Sequence, residues 1–243
     1  DVHESERETD RGLHPRTVWL TMEVHRHLDE ELDRLRDTVL LVGGEAEAAL
    51  RRAIHSLLDR DVNAAREVLE HDDVIDELEV EVDRQCIDIF VLRQPAARDL
   101  RFVMSVAKTA PLLERIADHA CNIARAAIDL THEPELKNQI RIAEMGEIAS
   151  SMLAQALDAF TRSDAAAARE IIKRDTEIND LYNEIFSELI GMMVTAPATA
   201  TRDARLLLVA KHLERIGDYV TDISELTVYM AEAAIIKHQR GNL

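Results

Sequence analysis

The chain repeats itself, and this repeat restricts the possible folds more than any other feature. Residues 61–78 align with residues 164–181 at an offset of 103, and residues 112–124 align with residues 212–224 at an offset of 100. The first alignment preserves Asp61, Ala64, Ala65, Arg66, Glu67, Asp72, Ile75 and Leu78, and the second preserves Leu113, Glu114, Arg115, Ile116, Asp118 and Ile123. The order of the two segments is the same in both halves, which indicates an internal duplication.

Each copy has a helical hydrophobic pattern. The chain has only 7 glycines and 5 prolines, which argues against many short strands joined by turns. The pattern predicts helices over 22–59, 61–93 and 97–131 in the first copy, and over 135–162, 164–194 and 199–238 in the second. Short links between long helices favour antiparallel neighbours. We therefore predict an all-α fold of six long antiparallel helices, arranged as tandem three-helix bundles over 22–131 and 135–238.

Two local features qualify this prediction. Aspartates at 61 and 164 are suited to cap the second helix of each copy, whereas Gly43 and Gly44 weaken the first helix locally. Residues 1–18 are polar and lack an apolar signal core, so we expect residues 1–21 to be a disordered leader or a non-native extension, with Met22 as a natural start.

The net charge of the chain restricts the kinds of partner that it can bind. The chain has 47 acidic and 29 basic residues, giving a formal net charge of −18. Such a chain would be repelled by nucleic acid and by anionic lipid, but suits cations or a basic surface of a partner protein. Cys86 and Cys121 lack the C-x-x-C spacing of metal sites, so we expect them to be buried, reduced thiols in a cytoplasmic protein. We also find no Gly-rich loop or Walker lysine pattern, so no phosphate site is evident.

The third helix of each copy carries a row of acidic or amide side chains. In the first copy Glu114, Asp118 and Asn122 fall opposite the apolar arc that packs inward. In the second copy Glu214, Asp218 and Asp222 do the same. Acidic side chains spaced at i, i+4 repel one another, so a solvated face would more naturally alternate Glu with Lys. The repeated row therefore predicts a cation between the carboxylates.

The second helices supply further oxygen ligands. Asp72, Asp76, Glu79 and Asp83 share one face in the first copy, and Asp175 with Asn179 form a weaker counterpart in the second. Because neighbouring helices would bring these outward rows together, we predict hard-oxygen sites for Mg²⁺, Mn²⁺ or iron, with zinc less suited. The predicted ligands are Asp72, Asp76, Glu114, Asp118 and Asn122 in the first copy, and Asp175, Asn179, Glu214, Asp218 and Asp222 in the second.

The two third-helix motifs resemble the signature helices of the PhoU family of phosphate-signalling regulators. They read LERIADHACNIA at 113–124 and LERIGDYVTDIS at 213–224, and the segments 25–35, 51–61 and 99–108 also resemble that family. The resemblance implies multinuclear iron or other metal ions on the outside of the helices. It matches Glu114 with Asp118, Glu214 with Asp218, and Asp72 with Asp76 to the family's metal motifs. Departures are Tyr219, where His is common, Asp222, where Asn is usual, and Asn179 in the weaker second-helix site.

The same resemblance implies a non-enzymatic cytoplasmic adaptor. Family members are negative regulators that couple the ABC-type phosphate importer to the membrane histidine kinase of the phosphate response. We therefore expect the importer's ATPase subunit and the sensor kinase as partners, and a homodimer. An accessory of a low-affinity phosphate permease is the main alternative. A di-metal oxidoreductase is disfavoured, because it needs inward-facing glutamates with Glu-x-x-His spacing.

Overall fold

The chain folds into helices throughout its described length. A computed structural model describes residues 15–134 and 141–236, with side chains from residue 27 onward. The α-helices are Pro15–Asp59 (α1), Val62–Glu70 (α2), Asp72–Arg93 (α3), Ala97–Leu130 (α4), Ile142–Arg162 (α5), Ala165–Thr195 (α6) and Ala200–Glu232 (α7), and a 3₁₀ turn covers Pro197–Thr199. No strand occurs in these two stretches. The predicted all-α, duplicated fold is confirmed.

The N-terminal helix is longer than the sequence pattern predicted. It begins at Pro15, so residues 15–21 of the predicted disordered leader belong to α1. Proline is favoured at the first position of a helix, because its fixed φ suits the helix and its missing N–H would have no partner there. The predicted leader segment 1–14, residues 135–140 of the predicted helix 135–162, and residues 237–238 of the predicted last helix lie outside the described residues.

Aspartates begin the second helix of each copy, as predicted. Asp61 accepts hydrogen bonds from two backbone amides at the start of α2, at 2.9 and 3.1 Å. Asp164 accepts one at the start of α6, at 3.0 Å. The residue before each cap, Arg60 or Ser163, has a positive φ that ends the preceding helix. The turn chemistry of the two copies is therefore equivalent.

The second helix of the first copy is interrupted, which differs from the single helix predicted over 61–93. His71 separates α2 from α3 and has φ −94° and ψ −5°. Asp72 and Asp73 follow in the first turn of α3, where acidic side chains are favoured by the helix dipole. Arg174 stands at the equivalent position of the second copy, and α6 runs through it without a break.

The two copies share one hydrophobic core. The inward faces predicted for α4 and α7 are buried. The core is aliphatic, and its largest fully buried side chains come from both copies: Leu35, Leu50, Ile75, Ile89, Leu113, Ile116, Ile123, Met145, Met152, Leu153, Ile178 and Ile185. Helix α4 packs against α7, and α1 packs against α5, in addition to the contacts within each copy. The tandem bundles are thus joined along two helix pairs.

Reciprocal glycine contacts join α1 to α5. A Cβ atom at Gly43 would lie 2.5 Å from Cδ2 of Leu157, and a Cβ atom at Gly146 would lie 3.0 Å from Cδ1 of Ile54. The offset of 103 relates Gly43 to Gly146 and Ile54 to Leu157. Each copy therefore seats a large aliphatic side chain on a glycine of the other copy. Gly44 differs, since a Cβ atom there would meet nothing within 4 Å.

Two further observations concern the sequence predictions. Cys86 and Cys121 are buried and free, as expected of reduced structural thiols. In the described parts of the chain, no helix combines the length and apolar character needed to cross a lipid bilayer.

We predict that Gly43→Val and Gly146→Val each lower the free energy of unfolding by about 1–3 kcal/mol, because the added methyl groups overpack the α1–α5 contact. Gly44→Val is the matched control, and its loss of a flexible glycine should leave stability unchanged or slightly higher. Urea denaturation followed by circular dichroism measures all three. Equal effects at Gly43 and Gly44 would contradict the assignment of the contact.

Candidate functional site: two unequal acidic clusters

The first acidic cluster lies where α3 and α4 run side by side. We define it as Asp72, Asp76, Glu79 and Asp83 of α3 with Glu114 and Asp118 of α4. Asp76 and Asp118 are exposed and Glu114 is half-buried. Partial desolvation raises the pKa of Asp76, and the charges of the nearby Asp72 and Asp118 raise it further. The structure therefore brings the predicted acids of the two helices together.

Glu114 is the electrostatic centre of this cluster. Burial raises its pKa to about 7, with further increases from the nearby Asp118, Glu79 and Asp76. Among the described residues, every charged neighbour that shifts this pKa is acidic. Burial also raises the pKa of Glu79, helped by Asp83 and Asp76, although Arg115 acts in the opposite direction. The cluster thus concentrates negative charge that the protein leaves largely uncompensated.

Two predicted assignments need adjustment in the first copy. Asn122 is engaged elsewhere, because its Oδ1 accepts a hydrogen bond from Arg125 at 3.0 Å. Glu79 was predicted to share the acidic face but was not among the predicted ligands. Its electrostatic interaction with Glu114 places it inside the cluster.

In the second copy the corresponding acids have basic partners. Lys211 forms an ion pair with Glu214, and its ammonium nitrogen also lies 5.3 Å from the centre of the Tyr182 ring. Arg215 Nη1 lies 3.1 Å from Oδ2 of Asp218. These partners stand one turn before each acid on the same helix. The negative charge of this row is therefore partly neutralised within α7.

Asp175 does not lie on an outward face, and the prediction is wrong at this position. Its side chain is buried, with only 6% of the residue exposed. Asn179 Nδ2 donates to Asp175 Oδ2 at 2.9 Å, and Thr221 Oγ1 donates to Oδ1 at 3.4 Å. Because Asp175 lies one turn from the buried Ile171 and Ile178, it follows the seam between α6 and α7. Its hydrogen bonds compensate for burial.

The first copy contains an equivalent of this contact. Cys121 is the counterpart of Thr221 at the offset of 100, and it interacts with Asp72, the counterpart of Asp175. Burial, with a further contribution from Asp72, raises the pKa of the Cys121 thiol to about 12. Asp72 remains only half-buried, so it belongs both to this contact and to the acidic cluster.

Asp222 lies in a different environment from the other predicted ligands. It lines a groove of about 370 Å³ between α4 and α7, together with Lys108, Leu112 and Tyr229. The row over Glu214, Asp218 and Asp222 is therefore not a single ligand set.

A histidine pair joins the two copies beside these clusters. Nδ1 of His119 on α4 lies 2.9 Å from Nδ1 of His212 on α7, and the Tyr219 ring stacks on His119 with centroids 5.6 Å apart. Burial and the proximity of His212 lower the pKa of His119 to about 4. The pairing depends on the packing of α4 against α7. His71 takes no part in this pair, since it is exposed and its Nε2 lies 3.8 Å from Oε2 of Glu45.

The donor atoms match a hard cation in chemistry, but they do not converge. Over the described residues, no group of three or more His, Cys, Asp or Glu side chains is placed to hold a metal ion. A cation bound to the first acidic cluster would require its carboxylates to turn toward one another.

Comparison with known proteins identifies the architecture. A family model described as the PhoU domain matches residues 39–127 and 142–227, one match in each copy. The chain belongs to the PhoU family. It is similar to the phosphate-specific transport system accessory protein PhoU homologue of Pseudomonas aeruginosa, with 34% identity over 220 residues, 90% of this chain and 91% of the relative. The homologue of the same description from Aquifex aeolicus is 36% identical over 212 residues, covering 87% of this chain and 96% of the relative.

Solved PhoU structures have the same fold. The crystal structure of PhoU from Pseudomonas aeruginosa matches with a TM-score of 0.83 and 35% identity, covering 85% of this chain and 99% of that one. The phosphate transport system regulatory protein PhoU from Streptococcus pneumoniae matches with a TM-score of 0.80 and 30% identity, covering 86% and 99%. Glu114 with Asp118 of the first acidic cluster, and Glu214 with Asp218, which we call the second acidic cluster, therefore lie at equivalent places in a duplicated PhoU architecture.

We predict that Glu114→Gln stabilises metal-free protein above pH 7. Because the pKa of Glu114 rises from 4.5 to about 7 on folding, the folded state holds a proton that the unfolded state releases. Stability should fall as the pH rises between these values, and Gln should remove that part of the fall, on the order of 1 kcal/mol after allowance for solvent screening.

Urea denaturation at several pH values, with chelator present, measures this effect. Glu67→Gln removes the same charge from an exposed position on α2 and should leave the pH dependence unchanged. A pH dependence that is identical in wild type and Glu114→Gln would contradict the prediction.

Proposed function

We propose that this chain is a non-enzymatic accessory of a phosphate-specific transport system, acting as an adaptor between proteins. The observation that carries this proposal is its similarity to proteins of that description over 90% of its length. Within this role, the partners are the ATPase subunit of the ABC phosphate importer and the membrane sensor histidine kinase, which it restrains when phosphate is plentiful. These partners would place the chain in the cytoplasm.

Exposed aliphatic side chains support a role in binding proteins. We define the apolar ridges as Val80, Ile87 and Val91 on α3, with Phe186, Ile190 and Val194 on α6. Val91 is 70% exposed and Val194 is 75% exposed. Exposed apolar patches rimmed by polar side chains are typical of protein interaction sites.

The duplication strengthens this interpretation. The offset of 103 relates Ile87 to Ile190 and Val91 to Val194, so both copies keep aliphatic side chains at equivalent exposed positions. Acidic residues such as Asp83 and Asp88 flank the ridge on α3. The surface is therefore suited to a partner with an apolar centre and a basic rim. The predicted homodimer stays a prediction, for which the ridges are one available surface.

Regulation by such an adaptor requires unequal affinity for two states of a partner. A protein that bound two conformations of the importer equally well could not report on its state, however tightly it bound. We propose that the apolar ridges bind one conformation of the ATPase more tightly, and that this difference determines how much of the adaptor is available to the kinase.

We also propose that the first acidic cluster binds a hard cation such as Mg²⁺, Mn²⁺ or iron. Its support is the concentration of carboxylates around Glu114, because the described charged groups that shift the pKa of Glu114 are all acidic. A bound cation would neutralise these groups and tie α3 to α4. The second copy is less suited, because Lys211 and Arg215 already partner Glu214 and Asp218.

For the adaptor role, Ile87→Asp combined with Val91→Asp should weaken recovery of the importer ATPase and the kinase by at least roughly tenfold, since charge is placed in an apolar contact. Affinity purification from phosphate-replete cells measures this recovery. Leu41→Asp on α1, which is 51% exposed, is the matched control. Recovery of a permease without the ATPase or kinase would support the alternative accessory role, and no change in the double variant would contradict the proposed surface.

For the cation site, Glu114→Ala with Asp118→Ala should remove most bound metal from protein purified without chelator. Glu214→Ala with Asp218→Ala should cause a smaller loss, because those acids have basic partners. Elemental analysis of the wild type and both double variants measures the difference. Metal-free wild-type protein, or equal retention in all three, would contradict the proposal.

A further inference from the structure

A cavity rich in arginine lies at one end of the molecule, away from both acidic clusters. Its volume is about 690 Å³, and it forms where the start of α4 meets α1, the end of α5 and the end of α7. We call it the arginine cavity. Its basic residues are Arg36, Arg98, Arg101 and Arg162. Such a concentration is notable in a chain with a net charge of −18.

Most of this positive charge is not matched by described partners. Arg36 is engaged, since it donates to Asp33 at 2.8 Å and lies 4.9 Å from the centre of the Phe102 ring. The other three arginines make no hydrogen bond or ion pair with any residue whose side chain the structure describes. The Nε atom of Arg101 is buried and has no hydrogen-bond partner there. A buried Nε–H donor with no acceptor among the described residues is available to bond to a ligand.

The opposite end of the molecule provides an internal comparison. Arg60 occupies the equivalent of Ser163, at the offset of 103. Its guanidinium donates to the carbonyl oxygens of Leu130, Thr131 and Glu133, at 2.8 to 2.9 Å. Arg60 therefore occupies that end of the bundle, and its guanidinium is hydrogen-bonded to the protein backbone. The side chain of Ser163 is too short to make such bonds, and Ser163 lines the arginine cavity.

The nearby arginines at the opposite end are also partnered. Arg202, the counterpart of Phe102 at the offset of 100, donates to Asp203 at 2.8 Å. Arg205 lies 3.1 Å from Glu133. Arginines at one end of the duplicated fold are thus satisfied by the protein, whereas those of the arginine cavity are not satisfied by its described residues.

We propose that the arginine cavity binds a phosphate-bearing anion of up to nucleotide size. Guanidinium groups bind phosphate oxygens through paired N–H donors, and Arg98, Arg101 and Arg162 would supply them from two helices. The first turn of α4 adds the positive end of its helix dipole beside Arg98. The volume is larger than one phosphate needs and is typical of small-molecule sites.

The acidic residues of the cavity restrict which phosphate-bearing ligands it can bind. Asp29, Asp33 and Asp99 also line it, and although Asp33 is paired with Arg36, these carboxylates would repel an anion that filled the whole space. They can accept hydrogen bonds from the hydroxyl or amino groups of an organic ligand. A phosphorylated metabolite such as a nucleotide therefore fits better than free phosphate, although the phosphate group is common to both. This site is independent of the proposed partners, because it would bind its ligand on the isolated chain.

Isothermal titration calorimetry on the purified full chain tests the proposal, with divalent cations removed so that the acidic clusters do not contribute. The probes are ATP, inorganic phosphate and adenosine. We expect ATP to bind, with adenosine showing no binding, and Arg101→Gln and Arg162→Gln each to weaken ATP binding by at least roughly tenfold. Arg84→Gln is the control, because it removes the same charge from α3 and should leave the affinity unchanged.

The outcomes separate the sources of the phosphate group. Binding of inorganic phosphate as tightly as ATP would support the site with free phosphate as its ligand, and tighter ATP binding would support a phosphorylated metabolite. Arg162 is exposed, so its variant still tests the site if Arg101→Gln fails to fold. The proposal would be overturned if neither ATP nor inorganic phosphate bound, or if ATP bound wild type and Arg162→Gln with equal affinity.

Discussion

The packing of one copy against the other, along α4 with α7 and α1 with α5, is the constraint on which the rest of the architecture depends, and at α1–α5 Ile54 packs on Gly146 and Leu157 packs on Gly43. Each glycine allows α1 and α5 to approach closely, and each large side chain comes from the opposite copy. This contact and the packing of α4 against α7 convert two tandem bundles into one body with a continuous core. Both acidic clusters and the arginine cavity take their positions from that body.

The two copies share the same helix arrangement but differ in the side chains that surround their acidic residues. At equivalent places, the first copy leaves Glu114 among acids, whereas the second supplies Lys211 and Arg215 as partners for its acids. Asp72 is half-buried beside Cys121, whereas Asp175 is buried beside Thr221. The backbone repeat is thus preserved more faithfully than the charge pattern. Two matching motifs therefore do not imply two equal sites.

Much of the fold could be predicted from sequence because its signals are local. Helix periodicity, the caps at Asp61 and Asp164, and the inward faces of α4 and α7 all follow from residues a few positions apart. Gly43 shows the limit of such reasoning. Propensity alone marks it as a weak point of α1, and only the approach of Leu157 reveals what it does.

The candidate sites were predictable only where their residues share a helix or a repeated motif. The acidic rows are of this kind, apart from Asp175, whose burial depends on how α6 is rotated against α7. The pairing of His119 with His212 and the arginine cavity combine residues from distant segments without a shared motif. Their geometry is set by packing between copies, which no local pattern specifies.

The break at His71 makes local opening of the second helix easier in the first copy than in the second. Helix α2 has only 9 residues, fewer than an isolated helix needs to persist in water, and it depends on its cap and on the burial of Ala65 and Val68. Its counterpart is the beginning of the 31-residue α6, whose backbone hydrogen bonds continue without a break past the equivalent of His71. Amide hydrogens of α2 should therefore exchange with solvent more readily than those of the matching first turns of α6.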